Sequence, residues 1–236
     1  MFKGKILPFF KKYFSEFAMI FISVILAFAL TEWSSNQGKK VSEEKIFLEI
    51  LNGLKKDSID LTGNIDAHKN GVKACNYWRK VITENKADKD SLIGYYFLLT
   101  RNVISIQNIS GYETLKSKGL ETIKNDSLRG KIINLYEFDY QVMKKFEEDY
   151  KENQFFDNYF FQINEKIAPN LKFDSNGNIY DIKLPLNITN SEKNILLSYL
   201  WKIQMSRIER AYAGNSLKKK INTLYKEIDT EIKNDR

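Results

Sequence analysis

The chain has 236 residues, 43% hydrophobic and 14% aromatic, with a formal charge of +7. It is too apolar for a disordered tail and long enough for one domain with its own core. Three prolines and eleven glycines argue against a turn-rich β protein. Basic and acidic residues interspersed along the helical faces argue against the basic stripe of a nucleic-acid binder, so no nucleic-acid partner is expected.

The first element is the most apolar. Phe17 to Leu30 reads FAMIFISVILAFAL, with Glu16 at its front edge and Trp33 just past its end. Ten large apolar residues, each favouring insertion by about 0.3 to 0.6 kcal/mol, outweigh one carboxylate near an end. Fourteen residues cover only about 21 Å against a hydrocarbon core of about 30 Å. Counted from Tyr13 to Trp33 the segment reaches about 31 Å, with an aromatic residue at each interface. The expected division is a basic leader over 1–12, a transmembrane helix over 13–33 and an extracytoplasmic domain over 34–236.

Lys3, Lys5, Lys11 and Lys12 precede the segment without an acid, whereas Lys39, Lys40 and Lys45 after it are diluted by Glu32, Glu43 and Glu44. The positive-inside rule then puts the N-terminus in the cytoplasm and the domain outside, which in a Gram-negative bacterium means an inner-membrane anchor and a periplasmic domain. A cleaved signal peptide is the competing reading, since Ala27-Phe28-Ala29 offers a small-x-small site. Glu16 inside the border is unusual for one.

From Lys40 to about Thr83 the spacing predicts a long helix. Positions 47, 51, 54, 58, 61, 65, 68, 72, 75, 79 and 82 form a heptad-like seam, apolar at eight of eleven places. Gly63 and Gly71 mark places for a break. A second helix is expected over Ser91 to about Ile106, apolar nearly all round and so central to the core. Tyr112 to Lys118 follows as a short helix capped by Gly119. Asn125-Asp126 opens what should be the longest helix, to Ile167, with a break near Asn153. Leu171 to Leu186 reads as a small hairpin about Asn176-Gly177. A last helix covers Ser191 to about Lys233, hinged at Gly214, with a seam at Leu217, Ile221, Leu224 and Ile228. The fold class is all-α: an N-terminal transmembrane helix, then a long-helix bundle with coiled-coil-like seams and one small hairpin.

Chemistry-bearing patterns are sparse. The single histidine, His68, falls in the seam, where a polar core or interface role is the ordinary one. Cys75 lies on the same stripe, which suggests a buried thiol, with an intermolecular bridge as the alternative. Glu147 and Glu148 are adjacent and face different ways on a helix. There is no Cys-His metal spacing, phosphate-binding loop or nucleophile elbow, so no enzyme activity, cofactor or metal is expected. In the anchor, Ser23 and Ala27 lie about −20° and +20° from Glu16 at 100° per residue, so the three share one stripe. Ser23 and Ala27 are a small-xxx-small pair, the pattern that lets membrane helices approach, and Glu16 is a candidate packing or proton site. Trp33 is the interface anchor.

Two blocks carry a resemblance. Glu16 to Trp33 followed by the charged Lys39 to Lys56, and Gly111-Tyr-Glu-Thr-Leu-Lys-Ser-Lys-Gly119 with Ile123 and Asn125-Asp-Ser-Leu-Arg129, are similar to a domain-of-unknown-function family of small bacterial single-pass membrane proteins. Ser23 departs from the glycine usual there but keeps the position small. The resemblance implies topology and a helical extracytoplasmic region, and carries no activity. The expected function is a non-enzymatic interaction or scaffold component, with membrane lipid and either a second copy or another membrane protein as partners. Two alternatives stand: a single-pass subunit of a proton-driven motor using Glu16, and a periplasmic sensor.

Overall fold

The computed structural model describes residues 6–234. Of the basic leader, Lys3 and Lys5 and the side chains of Lys11 and Lys12 lie outside the described residues. One α-helix, α1 (Ile6–Glu84), runs unbroken for 79 residues, about 120 Å at 1.5 Å per residue. Gly63 and Gly71 do not interrupt it.

Then come α2 (Lys89–Thr100), α3 (Ser110–Lys118), α4 (Asp126–Asn134), α5 (Tyr140–Glu148), α6 (Phe161–Ile167), a hairpin of β1 (Leu171–Phe173) and β2 (Ile179–Ile182), and α7 (Asn190–Asn234). The protein is all-α apart from that two-stranded antiparallel hairpin, as the sequence predicts.

The frame is α1 against α7. Ser58 Oγ donates to Asn222 Oδ1 at 3.0 Å, Ile65 faces Gly214, and Arg79 Nη2 donates to Gln204 Oε1 at 2.5 Å. Rising numbers on one helix meet falling numbers on the other, so the pair is antiparallel. The predicted seam is buried at Phe47, Leu51, Leu54, Leu61, Ile65, His68, Cys75 and Ile82. Ile46, Ile50, Asp57, Trp78 and Val81 are buried too, because α1 has neighbours on two sides and covers more than one heptad stripe. On α7 the stripe Leu217, Ile221, Leu224 and Ile228 is buried and Gly214 is no hinge.

The core divides along this pair into two clusters. Nearer the anchor, Ile50 and Leu54 meet Tyr112, Leu115, Ile132, Tyr140, Ile221 and Leu224. Farther out, Trp78 and Val81 meet Leu92, Leu99, Phe155, Ile163, Leu196 and Ile203. Each such side chain contributes about 1.5 to 3 kcal/mol by leaving water.

Local chemistry fixes the ends. Asn125 caps α4, its side chain accepting from the Leu128 N–H at 3.1 Å. α7 starts at Asn190, one residue before the expected place. Thr189 and Glu192 form a reciprocal capping box there: the Glu192 carboxylate accepts from the Thr189 N–H at 2.8 Å and Thr189 Oγ1 accepts from the Glu192 N–H at 3.2 Å. Gly119 ends α3 with φ 97°. Asp174 closes the hairpin turn by accepting from the N–H groups of Asn176 and Asn178.

Two further expectations fail. α2 ends at Thr100 rather than Ile106 and lies at the periphery, with Phe97 65% exposed. The stretch expected as the longest helix is divided. α4 passes into α5 through a π-turn at Leu135–Asp139, where the Tyr140 N–H bonds the Leu135 carbonyl. α5 then stops at Glu148. The break expected near Asn153 is present, and Asn153 Nδ2 donates back to the Phe146 carbonyl at 2.8 Å.

The Gly111 block has a steric reason. An added Cβ there would lie 2.7 Å from the backbone nitrogen of Ile50, so α3 crosses α1 with no room for a side chain. Tyr112 beside it stacks on Tyr136 at 4.6 Å. Gly111→Ala should cost about 1 to 3 kcal/mol in urea unfolding of the detergent-solubilised protein. Gly63→Ala, with nothing within 4 Å of its Cβ, should instead add about 0.5 to 1 kcal/mol.

Candidate functional site

Two places in the molecule hold side chains that a helical frame alone does not require. The first is the apolar run of α1 that ends before Trp33. Near its N-terminus α1 carries the one stretch, among the described residues, long and apolar enough to cross a membrane, and none of it is buried against the rest of the chain. Phe21, Ile22, Leu26, Phe28 and Leu30 are exposed, as is Trp33. Unbroken helical geometry puts Glu16, Ser23 and Ala27 on one face, as the spacing predicts. Ser23 Oγ donates to the Met19 carbonyl at 2.7 Å, which satisfies the hydroxyl within its own helix.

The second lies between the two core clusters and escapes sequence reasoning. Arg207 and Arg210 of α7 are each 1% exposed, and His68 of α1 is 2% exposed. Arg207 Nη2 donates to the carbonyls of Leu98 (2.7 Å), Leu99 (3.1 Å) and Arg101 (3.0 Å). Those are the orphan acceptors at the end of α2, where the peptide dipoles leave partial negative charge, so the guanidinium both caps the helix and finds its counter-charge there. The cation also lies over the Phe155 ring at 4.6 Å. This capping is why α2 ends where it does.

Gly71 makes room for it. A Cβ at Gly71 would fall 2.4 Å from Arg207 Cζ, so the guanidinium lies directly on the α1 backbone. Arg210 Nη2 donates to the Glu147 carbonyl at 2.7 Å.

The same layer holds a strap, residues 101–109, that runs antiparallel alongside α1 with no helix or strand of its own. Its backbone groups are satisfied by side chains: the Ile106 N–H donates to Asp60 Oδ2 at 3.0 Å, the Asn108 N–H to Asp57 Oδ1 at 2.7 Å and the Ser105 N–H to Glu147 Oε2 at 2.8 Å. Asn64 Nδ2 donates to the Ile104 carbonyl at 2.9 Å. Asp57, Asp60 and Asn64 lie at 3,4 spacing on one face of α1 and act as a surrogate strand edge. Tyr140 Oη donates to Asp57 Oδ2 at 2.5 Å.

Burial sets the protonation of this layer. It pushes the Asp57 and Glu147 carboxyls up, against the hydrogen bonds from Tyr140 and Ser105 that favour their charged forms. Desolvation, reinforced by Arg210 and Arg207, pulls His68 down to about 3, so its imidazole is neutral. Neither ring nitrogen of His68 has a hydrogen-bond partner. Desolvation lowers Arg207 to about 10, and burial raises the Cys75 thiol to about 11. Cys75 is fully buried, which removes the intermolecular bridge from the folded chain. Glu147 is buried and Glu148 exposed, the opposite facing that adjacency predicts.

At 0 to 3% exposure Asp57, His68, Cys75, Glu147, Arg207 and Arg210 are closed to solutes, and among the described residues no three His, Cys, Asp or Glu side chains are placed to share a metal ion. The layer's chemistry is structural: it fixes the strap, α2 and α5 to the α1–α7 pair. The signal that could have found it is the α7 stripe itself, since Leu196, Leu200, Ile203, Arg207, Arg210, Gly214 and Leu217 continue one 3,4 pattern.

Comparison of the chain with protein-family models, curated protein sequences and solved structures gives no match.

Arg207→Met should cost about 3 kcal/mol, by leaving the α2 carbonyls without donors. Gly71→Ala should be as harmful alone and nearly silent in the Arg207→Ala background, a coupling that a double-mutant cycle in urea would measure.

Acid should destabilise the fold through His68. Its pKa falls from the usual 6.5 to about 3 on folding, so the unfolded chain binds the extra proton between those values and stability drops as pH falls through that window. At pH 5 the loss is about 2 kcal/mol. The raised carboxyls of Asp57 and Glu147 act in the opposite sense, so the measurement is the difference between wild type and His68→Leu across pH 4 to 7. The variant should lack the His68 slope.

Proposed function

We propose that the chain is a single-pass membrane protein, cytoplasmic at its N-terminus, whose helical domain lies on the far side of the bilayer and serves as a non-enzymatic interaction or scaffold component. The observation that carries this is the continuity of α1: an unburied apolar stretch passes without a break into the helix against which the rest of the domain packs. Exposed apolar surface on that scale is stable only against lipid or another protein.

A second feature supports an interaction role. On the outward face of α7, Trp201, Met205, Ile208 and Tyr212 follow a 4,3,4 spacing, and Trp201, Ile208 and Tyr212 are exposed. An apolar stripe of that period is what a second helix packs against. The Glu16, Ser23 and Ala27 face of the anchor offers a matching contact within the membrane, with a second copy or another membrane protein as the partner. The resemblance of the two sequence blocks to small single-pass membrane proteins is offered on the same footing.

Ser23→Cys or Ala27→Cys should give disulfide-linked dimers or partner adducts in native membranes, and Ile208→Glu with Tyr212→Glu should release the protein as a monomer in detergent. A monomer in both wild type and variants, with no adduct at either anchor position, counts against this reading. Glu16→Gln should leave complex formation within about twofold of wild type if the carboxylate only packs at the interface. Complete loss of function with the complex intact would favour the proton-driven alternative.

A further inference from the structure

Directly past the apolar run, α1 and the end of α3 border a solvent-open groove of about 570 Å³. That is within the size range of small-molecule sites. Ser35, Lys39 and Ser42 reach it from one face of α1, at i, i+4 and i+7. Lys118, at the end of α3, faces them, and the turn that follows adds Thr122 and Lys124. The lining therefore carries three ammonium groups and several hydroxyls against one carboxylate, Glu121, a net charge of +2.

These lysines differ from their neighbours. Lys116 pairs with Glu113 at 2.7 Å and Arg129 with Asp126 at 2.7 Å, whereas among the described residues none of Lys39, Lys118 and Lys124 is in an ion pair. The turn that presents Lys124 is fixed from below: its N–H donates to Oε1 of the buried Glu43 at 2.9 Å. The position of Lys124 is thus fixed on α1, and the lining's cations have no counter-charge of equal number.

Its height matters. Taking Trp33 as the interface residue, Ser35 to Ser42 lie about 3 to 14 Å farther along the helix axis, at and just above a headgroup layer about 5 to 8 Å deep. Lysine stems reach several ångströms back toward the lipid. Converging ammonium and hydroxyl donors suit a phosphate ester, and this position exposes them to the phosphates of the bilayer itself.

We infer that Lys39, Lys118 and Lys124, with Ser35, Ser42 and Thr122, form a binding site for the phosphodiester headgroup of an anionic phospholipid. The site rests on the membrane reading proposed above. It would tie α3 to the bilayer surface and fix the azimuth of α1 about its own axis.

The test uses the full chain in nanodiscs of phosphatidylcholine with phosphatidylglycerol, released for native mass spectrometry. Wild type should retain phosphatidylglycerol, and K39A/K118A/K124A should bind it about 100-fold more weakly, with an unchanged thermal melt. The charge-matched control K55A/K56A/K80A, on α1 beyond the pocket, should behave as wild type. Equal retention by the pocket variant, or equal loss in the control, would overturn the site. Titration of the detergent-solubilised protein with inorganic phosphate separates the two sources of the anion. Lysine-dependent phosphate binding without phosphatidylglycerol retention would overturn the lipid assignment. Failure of the wild type to enter phosphatidylcholine bilayers would overturn the membrane reading and the site with it, a result distinct from normal insertion without lipid retention.

Discussion

A buried guanidinium lying on a bare stretch of helix backbone is the contact on which the domain depends. Arg207 occupies the space a side chain at position 71 would fill and supplies the donors that the end of α2 lacks. An uncompensated charge at that depth would be prohibitive, and here the carbonyls of a helix terminus and the face of Phe155 stand in for a carboxylate. Because both partners are needed, the contact sets the axial register of α1 against α7 and the position of α2 at once. A purely apolar seam would tolerate slips by a heptad.

Around that contact the polar groups divide the core in two. The cluster near the apolar run and the cluster beyond it are each closed by aromatic and branched side chains. The layer between them is occupied by the strap, an irregular segment whose backbone would be costly to bury unless every donor and acceptor were met. Asp57, Asp60 and Asn64 meet them from α1, and Glu147 from α5. The expense of burial appears in the raised carboxyls of Asp57 and Glu147 and, reinforced by Arg210 and Arg207, in the lowered His68.

The continuity of α1 gives the arrangement its mechanical meaning. Since no glycine breaks the helix between Trp33 and the polar layer, a rotation or tilt of the anchor is carried rigidly into the register that Arg207 sets. The proposed lipid contact at Lys39 and Lys118 and the proposed protein contact along Trp201 to Tyr212 would act on opposite ends of one rod pair.

Periodicity and punctuation by themselves determined the helical class, the apolar run to Trp33, the α1 and α7 seams, the Gly119 stop and the hairpin at Asp174 to Asn178, because those features rest on neighbours within a few residues. The unbroken course through Gly63 and Gly71, the early end of α2, the π-turn at Leu135–Asp139 and the buried layer were decided only in three dimensions. Distant partners decide several of them: Gly71 reads as a breaker until Arg207 packs on it, and the strap finds its partners on Asp57, Asp60 and Asn64 only in the folded chain. Local sequence gives the propensity of each segment, whereas the destination of a buried charge or an orphan carbonyl is a property of the assembled fold.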